Sequence, residues 1–416
     1  MAKRVVITGM GTVNPLGNSV AEFWQNARSG VSGIRRVTRF DPSPFPSKIA
    51  GEVKDLDTHQ YMDAKDARRM DNFALYLMAA SIQAMQDAGI KNGDMPPERL
   101  GVVIGCGIGG LETLEAQVVK LYQQNFNVKT IHPLFVPKMI SNIGAGQVSI
   151  RMNAQGPCYV VVTACSSSTD AIGNAMMWIE RGVTDVMICG GTEAPLTPAA
   201  LGGFSALQTL STHFNDTPEK ASRPFDARRD GFVIGEGSGI IVIEELEHAR
   251  KRGARIHAEL AGYGVSSDAS HLTAPHPQGR GAQSAMVMAL AQSGLGPQDI
   301  DYINAHGTST PANDPVESRA IQTVFGEHAR RLRVSSTKSM TGHLLGAAGG
   351  VEAVVTIMAI KEGFFPPTIN QEDPDPECPL DYVPNRGVEG KIRAAMSNSL
   401  GFGGHNAVVC FKRWEK

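Results

Sequence analysis

Apolar runs that stop at glycine alternate with longer segments of helical period along most of the chain. "RVVITGMG", "LGVVIGCGIGG", "DVMICGGTEA", "GIIVIEEL", "IDYINAHGTS" and "AVVCFKRW" are short, rich in β-branched residues and bounded by turn formers, so they read as strands. Between them, "NFALYLMAASIQAMQDAGI" and "GAQSAMVMALAQSGL" repeat apolar residues three and four apart and read as helices. Strands apolar on both faces with helical connections predict largely parallel sheets covered on both sides.

The pattern also repeats. "RVVITGMGTVN" opens the chain, and "HAELAGYGVSSD" at residues 257 to 268 opens a second series of strand, helix, strand and Gly-rich loop. Each series has a helix ending in "DAGI" (87 to 90) or "QSGL" (292 to 295) ahead of its next strand. This reads as two similar α/β halves, 1–252 and 253–416, meeting at the basic stretch "ARKRGARIH". No low-complexity linker separates them, so the halves are expected to pack tightly.

Composition narrows the class. The 416 residues are enough for a large core; 42% are hydrophobic, 19% charged and 45 are glycine, with a net charge of −2. That is the profile of an α/β enzyme, without the basic excess of a nucleic-acid-coating chain or the polarity of a disordered one. No apolar run approaches the roughly 20 residues of a membrane span, and the apolar start is too short for a secretory core. Six cysteines without a disulfide framework point to a reducing cytosol.

Five of those cysteines, Cys106, Cys158, Cys189, Cys378 and Cys410, lie in or beside apolar runs or Pro-rich loops and read as small buried hydrophobes. Cys165 differs. In "YVVVTACSSSTDAIGNAMMWI" it ends an apolar run and precedes a helix whose first turn would hold Ser166 to Thr169. Free N–H groups of such a turn stabilise a thiolate and lower its pKa. Locally the position fits either an inert cysteine or a nucleophile, and a nucleophile needs a base or cationic partner elsewhere.

Three further constellations bear on that partner. "GCGIGG" at 105 to 110 matches the dinucleotide fingerprint, yet the acidic residue wanted about 20 positions on falls near Asn125, in no strand; its glycines read as a tight turn. His306 in "INAHGTSTPAND" and His343 in "SSTKSMTGHLLGAAGGVEA" are placed by the pattern at carboxyl ends of strands, with Lys338 and Glu352 near His343. No H-E-x-x-H or clustered Cys/His spacing supports a metal. "SNSLGFGGHNA" exposes backbone N–H groups around Phe402, which fits either a hairpin turn or an oxyanion hole with a movable cover.

Taken in order, "VTACSSS", "NAHGTSTPAND", "SSTKSMTGHLLGAAGGVEA" and "NSLGFGGHN" resemble the elongating β-ketoacyl-acyl-carrier-protein synthases of fatty-acid synthesis, particularly the type numbered II. The resemblance covers nearly the whole chain and includes "SRPFDARRDGFVIGEGSG" and "GVSSDASHLTAPHP". It implies a thiolase fold, two five-stranded α/β halves stacked as five layers α-β-α-β-α, in a cytoplasmic homodimer that needs no cofactor or metal. Its implied activity is acyl transfer. Cys165 would carry an acyl group from an acyl carrier protein, and decarboxylation of a malonyl carrier would supply the carbanion that extends it by two carbons.

By the same resemblance His306 and His343 would stabilise the enolate, and the backbone N–H groups of Cys165 and Phe402 the tetrahedral intermediate. Lys338 and Glu352 would fix His343 and its turn, with Ser397 and Asn398 in supporting positions. Thr308 and Thr310 match residues that bind the pantetheine arm, Phe402 a gate, and Ile108 and Phe204 the acyl pocket; Asp268 and Gly403 fall in matching substrate-binding motifs.

Lys65, Arg68 and Arg69 share one face of an expected helix and match a docking patch for the acidic carrier. Two positions depart from the family pattern: His405, where many members have threonine, and Gln208, where a basic residue often contacts the carrier. A thiolase would need a second reactive cysteine near the end, where this chain has "GFGGHN", and a chain-length factor would lack Cys165. A ketosynthase of a polyketide or specialised-lipid pathway shares the chemistry and stays open at this point.

Overall fold

The computed structural model describes residues 3–415. Ten strands form its main sheet: β1 (Val5–Val13), β2 (Leu100–Gly105), β3 (Cys158–Val161), β4 (Val186–Glu193), β5 (Gly237–Glu245), β6 (Ala258–Ser267), β7 (Tyr302–Asn304), β8 (Arg333–Ser335), β9 (Ala394–Gly401) and β10 (His405–Arg413). They are hydrogen-bonded in the order β8-β7-β9-β10-β6-β1-β5-β4-β2-β3. From the centre outward one half runs 1-5-4-2-3 and the other 6-10-9-7-8, the same path shifted by five strands. The repeat seen in the sequence is thus a repeat of topology.

Within each half the pairings are mixed. β2 is parallel to β3 and β4, while β5 is antiparallel to β4 and β1; β7 is parallel to β8 and β9, while β10 is antiparallel to β9 and β6. The expectation of largely parallel sheets is corrected accordingly. Burial on both faces produces continuous apolar strands whichever way they run, so the pattern carries no direction. The halves join through a short antiparallel contact, Val5 to Ile7 of β1 against Ala258 to Leu260 of β6.

Six helices complete the layers: α1 (Asn72–Ala88), α2 (Asn142–Met152), α3 (Ser167–Glu180), α4 (Arg280–Ser293), α5 (Asn313–Phe325) and α6 (Ala348–Glu362). α1 and α2 cover the outer face of the first half, and α4 and α5 that of the second. α3 and α6 pack on each other and on strands of both halves, giving the five-layered thiolase-like arrangement. The central core is shared: Val103, Ile172 and Ile241 of the first half pack in one cluster with Leu260, Val355, Val409 and Phe411 of the second. α1 and α4 both stop at a left-handed glycine, Gly89 (φ 67°) and Gly294 (φ 65°), the residues of the repeated "DAGI" and "QSGL".

Close helix-on-strand packing explains the paired glycines of β1 and β6. A Cβ on Gly9 or Gly11 would overlap the backbone of α1 at Ala84 and Ala80, and one on Gly262 or Gly264 that of α4 at Ala289 and Ala285. Gly9→Ala and Gly264→Ala are each expected to destabilise the fold by about 1–3 kcal/mol through overpacking. Gly146→Ala in α2, where a Cβ meets nothing within 4 Å, serves as the near-neutral control. Denaturant midpoints check this; wild-type midpoints for both strand variants would show that the helices can draw back freely.

Candidate active site

β3 ends at Val161, and the chain turns sharply before α3. Cys165 sits in that turn, within a single 3-10 turn (Ala164–Ser166), and Ala164 takes a left-handed φ of 52° that a residue with a Cβ rarely adopts. Side-chain bonds hold the turn in place. The Thr163 and Ser166 hydroxyls both donate to buried Asp170, the Tyr263 hydroxyl donates to the same carboxylate at 2.6 Å, and Ser167 Oγ donates to Ala164 O at 2.7 Å. Tyr263 comes from β6, so the second half braces the cysteine of the first.

The two histidines arrive from the second half. His306 lies just beyond β7, as expected, and Glu317 of α5 accepts its main-chain N–H and that of Gly307, both at 2.8 Å. His343 is not at a strand end; it follows a one-turn helix (Lys338–Thr341) and is held by a bridge in which its N–H donates to Val233 O at 2.7 Å and its carbonyl accepts from Gly235 N at 2.9 Å. The imidazoles meet edge to face at 5.3 Å between centroids, and ligating atoms of Cys165, His306 and His343 all lie within 4.8 Å of one another.

Lys338 and Glu352 also take a different place from that expected. The Lys338 ammonium, 2% exposed, donates to His306 O at 2.7 Å, lies 3.4 Å from His306 Nδ1 and pairs with the buried Glu352 carboxylate. It therefore positions His306 rather than His343. His343 Nδ1 accepts instead from Leu345 N at 3.3 Å. With a donor at each Nδ1, both rings carry their hydrogen on Nε2. A metal-bound histidine has the opposite arrangement, its second nitrogen donating to an oxygen. The triad is therefore arranged to donate hydrogen bonds into its cavity.

Charge and burial fix the protonation states. Burial, then the Lys338 charge, pushes the His343 imidazole well below its ordinary pKa, and the same two causes with His343 beside it do so for His306. Both rings are neutral at physiological pH. The Cys165 thiol is pushed up to about 11 by burial, against the Lys338 charge and the Phe402 N–H, which favour the thiolate. This corrects the expectation of a lowered thiol: the helix start is present, but the second half buries the sulfur.

A cavity of about 260 Å³ opens over these groups. Cys165, His306, His343, Phe402, Ile108, Phe204, Thr308, Thr310 and Asp268 line it, as expected for substrate-facing residues. Lys338, Glu352, Ser397, Asn398 and Gly403 do not. Gly403 is the exposed tip of the β9–β10 hairpin (φ 84°) and donates to Leu272 O at 2.6 Å, which ties the Phe402 loop to the segment after β6. His405 packs against Gly403 outside the cavity, and Gln208 is exposed. Asn398 braces the His306 loop by donating to Glu317 Oε1 at 3.2 Å.

Asn304 Oδ1, Glu352 Oε2, Ser397 Oγ and Asn398 Oδ1 are buried without a hydrogen-bond partner, Asn304 and Ser397 being cross-strand neighbours.

The basic patch needs a further correction. Lys65, Arg68 and Arg69 are exposed, but the helix there is one turn (Ala64–Ala67), so they do not share a helical face; Arg68 caps the turn and Arg69 pairs with Asp66 at 3.7 Å. "GCGIGG" forms a turn after β2 whose Gly107 and Ile108 N–H groups donate to Glu193, at 2.7 and 3.0 Å. Sequence reasoning missed Glu193, Asp170 and Glu317. An acid ending a buried strand, as Glu193 does in "CGGTEA", was the available signal.

Family comparison agrees with this geometry. Residues 2–249 match the model of the β-ketoacyl synthase N-terminal domain and 257–372 that of the C-terminal domain. The chain belongs to the β-ketoacyl synthase family. It is 51% identical over 413 residues to the 3-oxoacyl-[acyl-carrier-protein] synthase 2 of Staphylococcus aureus (strain N315) and 50% to that of Synechocystis, covering 99% of each chain. Among solved structures it is similar to a β-ketoacyl synthase from Burkholderia phymatum (TM-score 0.91, 36% identity, 99% of this chain and 100% of that one). A type II polyketide ketosynthase in complex with its acyl-carrier protein superposes with TM-score 0.93 at 35% identity, over the whole of both chains.

The Lys338 field on Cys165 can be tested by alkylation. Cys165 labelling by iodoacetamide, followed by peptide mass spectrometry, is expected to accelerate with pH up to about 11. In a Lys338→Met, Glu352→Gln variant, which leaves no unpaired buried charge, loss of the cation disfavours the thiolate. The lost cation outweighs the lost Glu352 charge, which itself opposes the thiolate, so the profile moves to higher pH and labelling near pH 9 slows; an unchanged profile would show that Lys338 does not outweigh Glu352 at the thiol.

Proposed function

We infer that this chain is an elongating 3-oxoacyl-[acyl-carrier-protein] synthase of type 2, a condensing acyltransferase of fatty-acid synthesis. One observation carries the reaction: a buried cysteine lies beside two neutral imidazoles whose Nε2–H groups face the same cavity. The synthase 2 relatives are about 50% identical over full length, whereas the similar polyketide ketosynthase is 35% identical, which favours the fatty-acid reading over a polyketide one. Residues 1–252 supply the nucleophile and 253–416 the two imidazole donors.

Cys165 attacks the thioester of an acyl carrier; the sulfur–carbon bond forms as the carrier thiol leaves with the proton. Charge on the tetrahedral oxygen is met by the N–H groups of Cys165 and Phe402. The acyl chain passes the wall formed by Ile108 and Phe204. Thr308 and Thr310, their hydroxyls 2.9 Å apart at the cavity, hydrogen-bond the pantetheine arm. Asp268, whose N–H donates to Gly404 O at 2.9 Å, holds the Phe402 loop from the other side.

When malonyl carrier follows, cleavage of the bond to its carboxylate releases CO₂ and leaves its electron pair in an enolate. The enolate oxygen accepts from His306 and His343, and neutral donors stabilise it without delivering the proton that would quench the carbanion. The carbanion attacks the Cys165 thioester, the carbon–sulfur bond breaks with its electron pair on the sulfur, the thiolate takes a proton from solvent, and the β-ketoacyl carrier departs. Intact-protein mass spectrometry checks this: an acyl adduct on Cys165 is expected with acyl carrier alone and should vanish as product forms on adding malonyl carrier. Cys165→Ala should form neither, and near-normal condensation by it would refute the assignment.

The carrier docks through Lys65, Arg68 and Arg69, which add positive charge without burial. Reversing all three to glutamate is expected to raise the KM for carrier substrates at least tenfold at low salt, with little change in kcat or with a short pantetheine thioester. Equal effects on both substrates would argue against docking. The protein is a homodimer joined along β3, the edge strand, whose exposed Cys158 and neighbouring Val162 (59% exposed) present an apolar margin that needs cover. Sedimentation at micromolar concentration should give twice the chain mass, and a monomer mass would remove this assignment. No helix of the described residues is long and apolar enough to cross a membrane, and six free thiols fit the cytosol.

A further inference from the structure

Glu193 ends β4 fully buried, yet it also lines the cavity that holds Cys165. Its carboxylate collects donors from two separate loops. Oε1 accepts from Ile108 N at 3.0 Å and lies 3.5 Å from the Cys106 thiol, and Oε2 accepts from Gly107 N at 2.7 Å and Gly346 N at 3.1 Å. Ile108 is the acyl-side wall, and Gly346 lies three residues beyond His343. A third element is tied in, because Ser168 Oγ, in the first turn of the helix after Cys165, donates to Gly346 O.

The glycines show how tightly the two loops close on the carboxylate. A Cβ on Gly107 would stand 2.8 Å from Glu193 Oε2, and one on Gly346 would overlap that same oxygen and come within 2.5 Å of Gly107 N. Both backbones approach so closely that only a shared acceptor, with no side chain between them, fits. A carboxylate is the side chain that accepts on both oxygens; an amide presents one acceptor and one pair of donors.

We propose that Glu193 is a positioning residue of the condensation, holding the Ile108 wall of the acyl pocket and the His343 turn in register with Cys165. The inference rests on the condensing reading above. It places acyl-chain selection and enolate stabilisation under one side chain that performs neither. Loss of the carboxylate would move both loops together, whereas substitution in either loop alone would move one function.

The test compares wild type with Glu193→Gln, Ile108→Ala and His343→Ala. Each rate is divided by the concentration of Cys165 that iodoacetamide labels, so misfolded protein does not count. Two readouts are taken: the ratio of Cys165 acylation by long and short saturated acyl carriers, and CO₂ release from malonyl carrier. Glu193→Gln, whose amide sets N–H against N–H, is expected to change the acylation ratio at least threefold and slow CO₂ release at least tenfold. Ile108→Ala should shift only the ratio, and His343→Ala only CO₂ release.

A Glu193→Gln enzyme with wild-type ratio and CO₂ release per labelled site would overturn the proposal, even with lowered thermal stability. So would a change in one readout alone. Failure of the condensing reading is distinct, since the wild type itself would then form no adduct and release no CO₂.

Discussion

A buried cation sets the chemistry of this site. Lys338 lies beneath His306 with Glu352 as its only ion-pair partner among the described residues, both nearly inaccessible to water. Burying such a pair costs several kcal/mol per ion unless the geometry returns it. The return here is electrostatic and local. The ammonium occupies His306 Nδ1, which directs the other ring nitrogen into the cavity. It also holds down the basicity of both imidazoles and partly offsets the burial that keeps Cys165 protonated. A neutral hydrogen-bond donor would reproduce the first effect but not the other two.

That cation acts on a cysteine from the other half of the chain, so the whole arrangement depends on how the halves meet. The strand ladder joins them over only three residue pairs, and most of the cohesion comes from α3 and α6 and the shared apolar cluster around them. Tyr263 on Asp170 and Ser168 on Gly346 add polar contacts across the same seam. The halves are therefore poorly described as independent modules: parting them would unmake the nucleophile turn, the donors and the cavity at once.

Much of this was legible in the chain, for identifiable reasons. Cys165 was marked by strand, turn and helix written consecutively, and His306 by a strand ending just before it. The fold class followed from the motifs and their order, and the halves from the repeated glycine steps. What was missed depends on contacts between distant segments. Lys338 lies five residues from His343 in sequence, but it reaches His306, 32 positions back. The helix after Cys165 predicts a lowered thiol, but the sulfur's burial comes from the other half. The spacing of the basic patch predicts a helical face, yet Asp63 and Asp71 each cap a helix start and leave room between them for one turn.

The five-strand shift between the halves has a consequence for how the labour is divided. The turn after β2 carries Ile108, and its counterpart after β7 carries His306; the turn after β3 carries Cys165, and that after β8 leads to Lys338 and His343; β4 ends in Glu193, and β9 runs into Phe402. These components of the cavity thus have opposite numbers at the equivalent positions of the other copy. On the proposed reaction, the copy with Cys165 stores the growing chain and the copy with the two histidines prepares the incoming unit. A single repeated scaffold thereby provides two stations, which a reaction that receives its partners one after the other requires.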